Sequence, residues 1–185
     1  MEKFIITEEM LKNARSYVPI EEKAQFIGET ASRCFDRINI NSGSEIALPP
    51  MYSESTFLKS RYMMAALLKL YFGIDYKTES EDSPWLISYE DYDYYAGSHM
   101  MNQLERMKSN AKLRDKCFDL MSDYKDLERK LNAEVFGFMH AMNDILGRTS
   151  ALVSQLVTPE LTQELINTLN AMADEVATGA LAPAT

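Results

Sequence analysis

Apolar residues recur at steps of three and four along most of this chain, the spacing of one helix face rather than of a strand. The longest such line runs Leu113, Cys117, Leu120, Tyr124, Leu127, Leu131, Val135, Phe138, Met142, Ile145, Thr149, Leu152 and Leu156. It reads as heptads with one four-residue stutter, at Leu131 to Val135. The pattern predicts one long heptad-patterned helix over about 113–147 or longer. Continued to Leu156 it would reach ~65 Å at 1.5 Å per residue. Gly137 and Gly147 lie inside it, and Gly147 is the expected point of a bend or break. A seam this long needs a partner helix, either elsewhere in the chain or the same helix of a second copy. Leu120, Tyr124, Leu127 and Leu131 are its candidate self-association residues.

The other segments follow the same period. Thr7 ahead of Glu8 and Glu9 is an N-cap with first-turn acids, and that helix should stop near Val18, before Pro19. Ile20, Ala24, Ile27, Ala31, Phe35 and Ile38 then describe an amphipathic helix with Lys23 and its charged neighbours off the stripe. Asn39–Ser55, with Gly43, Pro49 and Pro50, reads as loop. Phe57–Phe72 is apolar almost all round, as the most enclosed helix of a bundle is, with Gly73 as its C′ residue. A second loop follows to Ile87, and Ser88 caps a helix that begins with Glu90 and Asp91 in its first turn. Thr158 and Pro159 mark a last helix with the stripe Leu161, Leu165, Leu169 and Met172. No alternating strand pattern and no βαβ rhythm is present. The expected fold is all-α, a bundle of five to six helices forming a single domain over 1–176, with a flexible tail at 177–185.

Charge and composition narrow the function. The 185 residues carry 19 Lys+Arg against 28 Asp+Glu, a net charge of −9. That balance disfavours direct binding to nucleic acid or to an anionic membrane surface. The basic stretch Arg106–Lys116 reads as a solvated helix junction. The N-terminus lacks the apolar core of a signal peptide, and the longest apolar run, Tyr62–Leu68, is far too short to span a bilayer. A cytoplasmic protein with no membrane segment is expected. Cys34 and Cys117 stand apart and read as buried reduced thiols.

A di-metal helical bundle needs Glu three residues before His, but Ala96 and Gly137 occupy those places before His99 and His140. No glycine-rich phosphate loop occurs, and Ser98 sits in no nucleophile motif. No catalytic residue, metal ligand or cofactor is assigned, so a non-enzymatic protein is expected, with an enzyme of unread site as an alternative.

The segment Asp75–Tyr95 stands out. It holds seven acids against Lys77 alone, five of the ten tyrosines, and the only tryptophan. Rigid aromatic rings bury area at low entropic cost, and acids beside them select a basic partner and steer its approach. The partner-binding candidates are Tyr76, Glu79, Glu81, Asp82, Trp85, Tyr89, Tyr92, Asp93, Tyr94 and Tyr95. The competing reading is a helix start plus aromatic side chains that close the end of the bundle.

Two stretches, YVPIEEKAQFIGETASRCFDRI (Tyr17–Ile38) and RDKCFDLMSDYKDLERKLNAEV (Arg114–Val135), resemble small uncharacterised proteins carried by phages and mobile elements of Gram-positive gut bacteria. The resemblance brings no functional residues. It implies an accessory protein that modifies a host or competitor process. The functional expectation is an acidic helical protein that binds and inhibits a basic nucleic-acid-binding host protein. The alternative is an assembly protein that self-associates through the heptads of 113–156 as a homo-oligomer.

Overall fold

The computed structural model describes residues 3–38, 51–153 and 159–177. Most of the Asn39–Ser55 loop, the cap at Thr158 and the tail beyond Ala177 lie outside the described residues. The fold is all-α, a helical bundle whose described strands form one two-stranded sheet. The chain divides into two compact units, Met1–Thr30 with Phe57–Leu131, and Ala31–Thr56 with Asn132–Thr185.

In the first unit, α1 (Glu8–Asn13) opens on Thr7, whose hydroxyl accepts from the Met10 N–H at 3.2 Å. Helix α2 (Ile20–Thr30) ends eight residues earlier than the apolar steps suggest. Its inward face also differs, being Lys23, Phe26 and Thr30, while Ile20 is half exposed. The reason is electrostatic: Lys23 turns in because an acid waits for it on another helix, a pairing that no local period can announce.

Helix α3 (Thr56–Ala66) continues into a π-helical stretch, Leu67–Phe72, and ends at Gly73 with φ 64°. This left-handed turn needs glycine, and the Gly73 N–H closes it on the Leu68 carbonyl. Almost every side chain from Arg61 to Tyr71 is buried, as an all-round apolar helix requires. Ser88 caps α4 (Tyr89–Gly97), accepting from the Asp91 N–H at 3.2 Å. After His99, at φ 52°, α5 runs Met100–Met107.

Helix α6 (Arg114–Val153) is continuous through both Gly137 and Gly147, so the expected break is absent. An isolated glycine costs ~1 kcal/mol in a helix, little against the hydrogen bonds on either side. The heptad line faces inward at Leu113, Cys117, Leu120, Tyr124, Leu127, Leu131, Val135 and Met142. Beyond that it fails: Ile145 and Leu152 are 59% and 61% exposed, and Leu146 is buried instead. A straight helix drifts ~20° per heptad from a strict seven-residue repeat, which carries the series Phe138, Ile145, Leu152 progressively off the core.

The second unit corrects the sequence reading most. After a 3₁₀ turn at Ala31–Arg33, Phe35–Ile38 is a strand, β1, paired antiparallel with β2 (Met51–Glu54). The helical steps at Ala31, Phe35 and Ile38 mislead because a four-residue strand is decided by its partner's backbone, not by its own period. The Asn143 amide of α6 bonds both backbone groups of Tyr52, at 3.3 and 3.2 Å. Tyr52, Met142, Leu146 and Ala173 form this unit's core, with Phe35 against it and stacked on Phe138 at 6.2 Å. Helix α7 (Pro159–Ala177) buries Ile166 and Ala173, whereas Met172 of the expected stripe is 52% exposed.

Candidate functional site

The acidic-aromatic segment belongs to the first unit and is held by side chains from beneath. Thr78 and Ile87 form an antiparallel bridge, flanked by Glu79 N–H to Leu86 O at 2.9 Å and Ser88 N–H to Lys77 O at 2.8 Å. Arg61, only 1% exposed, rises from α3 into this loop. Its Nε donates to the Ile87 carbonyl at 3.0 Å, and its outer nitrogen reaches both that carbonyl and the Glu79 carboxylate. A buried guanidinium is tolerable only when its donors are met in this way. The Lys77 N–H donates to Asp91 at 2.7 Å, which ties the loop to α4.

Most of the aromatic side chains serve this framework. Trp85 is 9% exposed, packs edge-on to Phe26 at 5.1 Å, and donates Nε1–H to Glu29 at 2.6 Å. It seals the core and is not at the surface. The Tyr76 hydroxyl donates to the Pro84 carbonyl at 3.0 Å, and burial pushes its pKa up. Tyr94 and Tyr95 lie against Phe4 at 6.4 and 5.1 Å, and partial burial raises the Tyr95 pKa as well.

What remains outward is smaller and better defined. Tyr89, 54% exposed, stacks nearly parallel on Phe57, 46% exposed, at 5.8 Å and 19°. Tyr92 meets Phe57 edge-on at 5.5 Å, and the Arg61 guanidinium lies 4.0 Å from the Tyr89 ring centre. Tyr89, Tyr92 and Asp93 are three and four residues apart on α4 and share a face. Glu79, Glu81, Asp82, Glu90 and Asp93 are all exposed. Phe57 was not among the expected residues, because inside an all-round apolar helix no pattern marks which ring stays at the surface.

The heptad residues are placed differently. Leu120, Leu127 and Leu131 are wholly buried, and Tyr124, at 9%, donates its hydroxyl to the Met63 carbonyl at 3.2 Å. Burial raises the Tyr124 pKa. Within the first unit this seam is covered by the chain's own side chains.

The sequence pattern also conceals a cleft. Asp123 of α6 accepts from the Val18 N–H at 3.0 Å, from the Tyr71 hydroxyl at 2.9 Å and from Lys23 Nζ at 2.5 Å. Burial, reinforced by the bond to Asp123, pushes the Tyr71 pKa well above its ordinary value. Above this pair opens a cavity of about 530 Å³, lined in part by Tyr17, Phe118, Asp119, Asp126 and Lys130. Hydrogen bonds from Lys130, then Arg129, hold the Asp126 pKa below the usual carboxylate value.

Other reactive groups are dispersed. Cys34 and Cys117 are buried, and desolvation raises the Cys117 pKa. His99 is exposed, and His140 lies 4.2 Å from the Phe136 ring on α6. Among the described residues no group of three or more His, Cys, Asp or Glu is arranged to hold a metal ion, and no helix is long and apolar enough to cross a membrane. Compared with known proteins, the chain matches no family model, no curated protein and no solved structure.

Proposed function

We propose that this chain is a non-enzymatic interaction protein that engages a basic protein partner through the Phe57–Tyr89 platform and the acids around it. The observation that carries the reading is the exposed, stacked ring pair, fixed from below by Arg61 and bordered by Asp93 and Glu90. Held rings bind with little further loss of freedom, and an acidic surround speeds encounter with a positive surface. A nucleic-acid-binding protein presents such a surface, and occupying it would block its function.

The test is capture from extracts of the source cells by the wild type, Tyr89→Ala and Asp93→Asn, at rising salt. A basic protein held by the wild type, released by salt and lost from both variants supports the reading. A captured set indifferent to salt and to both substitutions refutes it.

Self-association is a second reading, favoured by Ile145 and Leu152, which lie one heptad apart on α6 and are both exposed. Sedimentation would show a dimer lost on Ile145→Asp. A monomer at high concentration removes this reading.

A further inference from the structure

The cleft above Lys23 and Asp123 shares no residue with the Phe57–Tyr89 platform. Its volume, about 530 Å³, lies in the range of small-group binding pockets. Two rings line it, Tyr17 at 61% and Phe118 at 63% exposure, and these are the most exposed aromatic side chains among the described residues. Isolated exposed rings are ordinary, but two on one concave site leave a solvated apolar wall that a ligand would cover.

Charge pairing then selects the ligand. Lys23 is matched by Asp123 at 2.5 Å, and Lys130 by Asp126 at 2.8 Å. Lys108, whose Nζ lies 6.0 Å from the Phe118 ring centre, is matched by Glu105 at 2.7 Å. Asp119 pairs with no cation among the described residues. The two cations that line the cleft, and Lys108 beside Phe118, are therefore answered within the chain, and one lining carboxylate is not. Tyr17 already takes the Lys23 ammonium at 4.8 Å from its ring centre, so its π face lies in a setting that accommodates positive charge. An anion would meet Asp119 unshielded, and a neutral apolar group would strip water from it without replacing the contact.

We propose that this cleft receives an arginine side chain of a protein partner, its guanidinium plane on Tyr17 or Phe118 and its N–H fork on Asp119. Arginine fits better than lysine because its flat, weakly hydrated head stacks on rings while bonding a carboxylate with two donors. The proposal does not rest on the platform reading, because the two sites share no side chain.

The test uses N-acetyl-arginine methylamide as probe and its uncharged citrulline counterpart as control, titrated into the labelled full-length chain while aromatic NMR signals are followed. The Tyr17 and Phe118 signals are expected to shift saturably with the arginine probe and at least fivefold more weakly with citrulline. Asp119→Asn should weaken the arginine response at least fivefold, and because Asp119 is exposed the fold stays intact. Equal responses to both probes, no response at these rings, or an unchanged Asp119→Asn variant would each overturn the proposal. Shifts at Tyr89 and Phe57 alone would also overturn it while leaving the platform reading standing. Shifts at Tyr17 and Phe118 alone would support it.

Discussion

Replacing Asp123 by asparagine keeps the shape of the side chain and removes its charge. The Lys23 side chain is 2% exposed and that of Asp123 10%, so this substitution leaves a nearly dry ammonium with only the more distant Asp126, at 3.9 Å, as counterion. Removing one member of a buried pair costs ~3–5 kcal/mol, because the remaining charge is left uncompensated. Asparagine retains an acceptor for the Val18 N–H or the Tyr71 hydroxyl, and Asp126 still faces the ammonium, so the expected loss lies at the low end, about 3 kcal/mol. Lys23→Met leaves Asp123 with those two neutral donors and should cost no more, about 2–3 kcal/mol. The double variant buries no charge, and its loss should fall short of the sum of the singles by ~1–3 kcal/mol. Urea unfolding read by Trp85 fluorescence reports on the unit that contains the pair. At a slope of ~2 kcal/mol/M, Asp123→Asn should lower the midpoint by about 1.5 M. If the singles cost under ~1 kcal/mol and combine additively, the pair is solvated and the reasoning from burial is wrong.

Three further outcomes are expected. Tyr71 and Tyr124 have folded-state pKa values raised above the unfolded value of about 10, so their contribution is complete below that pH and is lost as pH rises past it. Alkaline unfolding followed by phenolate absorbance should begin just above pH ~10, and Tyr71→Phe should flatten the decline; an unaltered slope contradicts this. Arg61→Met should cost ~2–4 kcal/mol and speed tryptic cleavage at Lys77 in the loop it anchors, with no rescue by Arg61→Lys, which lacks the fork; unchanged cleavage would show the anchor to be idle. Leu127→Asp, at a wholly buried position, should unfold the first unit by more than ~4 kcal/mol in circular dichroism, whereas Ile145→Asp, at an exposed one, should stay within ~0.5 kcal/mol. A folded Leu127→Asp variant would place that seam at the surface.

Local chemistry was legible. Thr7, Ser88 and Gly73 act within a few residues of themselves, and each does what its type and place suggest. The seam from Leu113 to Leu131 was legible too, because a buried stripe repeated over several turns has few alternatives. Lys23 and Arg61 were not. Both are charges taken into the interior by partners far along the chain, Asp123 and the Ile87 carbonyl, and a pattern of apolar steps places such residues at the surface. The strand at Phe35–Ile38 failed for a related reason, since its partner, Met51–Glu54, is distant along the chain. At the candidate site the expected acids are exposed, whereas several of the expected rings are packed inward. Trp85, Tyr94 and Tyr95 are consumed by packing on Phe26 and Phe4, and the ring that completes the platform, Phe57, was hidden among apolar neighbours.

The division into two units has a consequence for biosynthesis. The chain visits the first unit, leaves it after Thr30, returns at Phe57, and departs finally at Leu131, with the second unit filling the intervals. Neither unit can be released whole by a single cut. During translation at ~5–20 residues per second, α2 must wait on the order of 5–20 s before the helix bearing Asp123 leaves the ribosome. Through that interval Lys23 has no counterion to draw it inward, so nascent α2 keeps a charged face in water and is shielded from premature burial by the same lysine that later locks it in place.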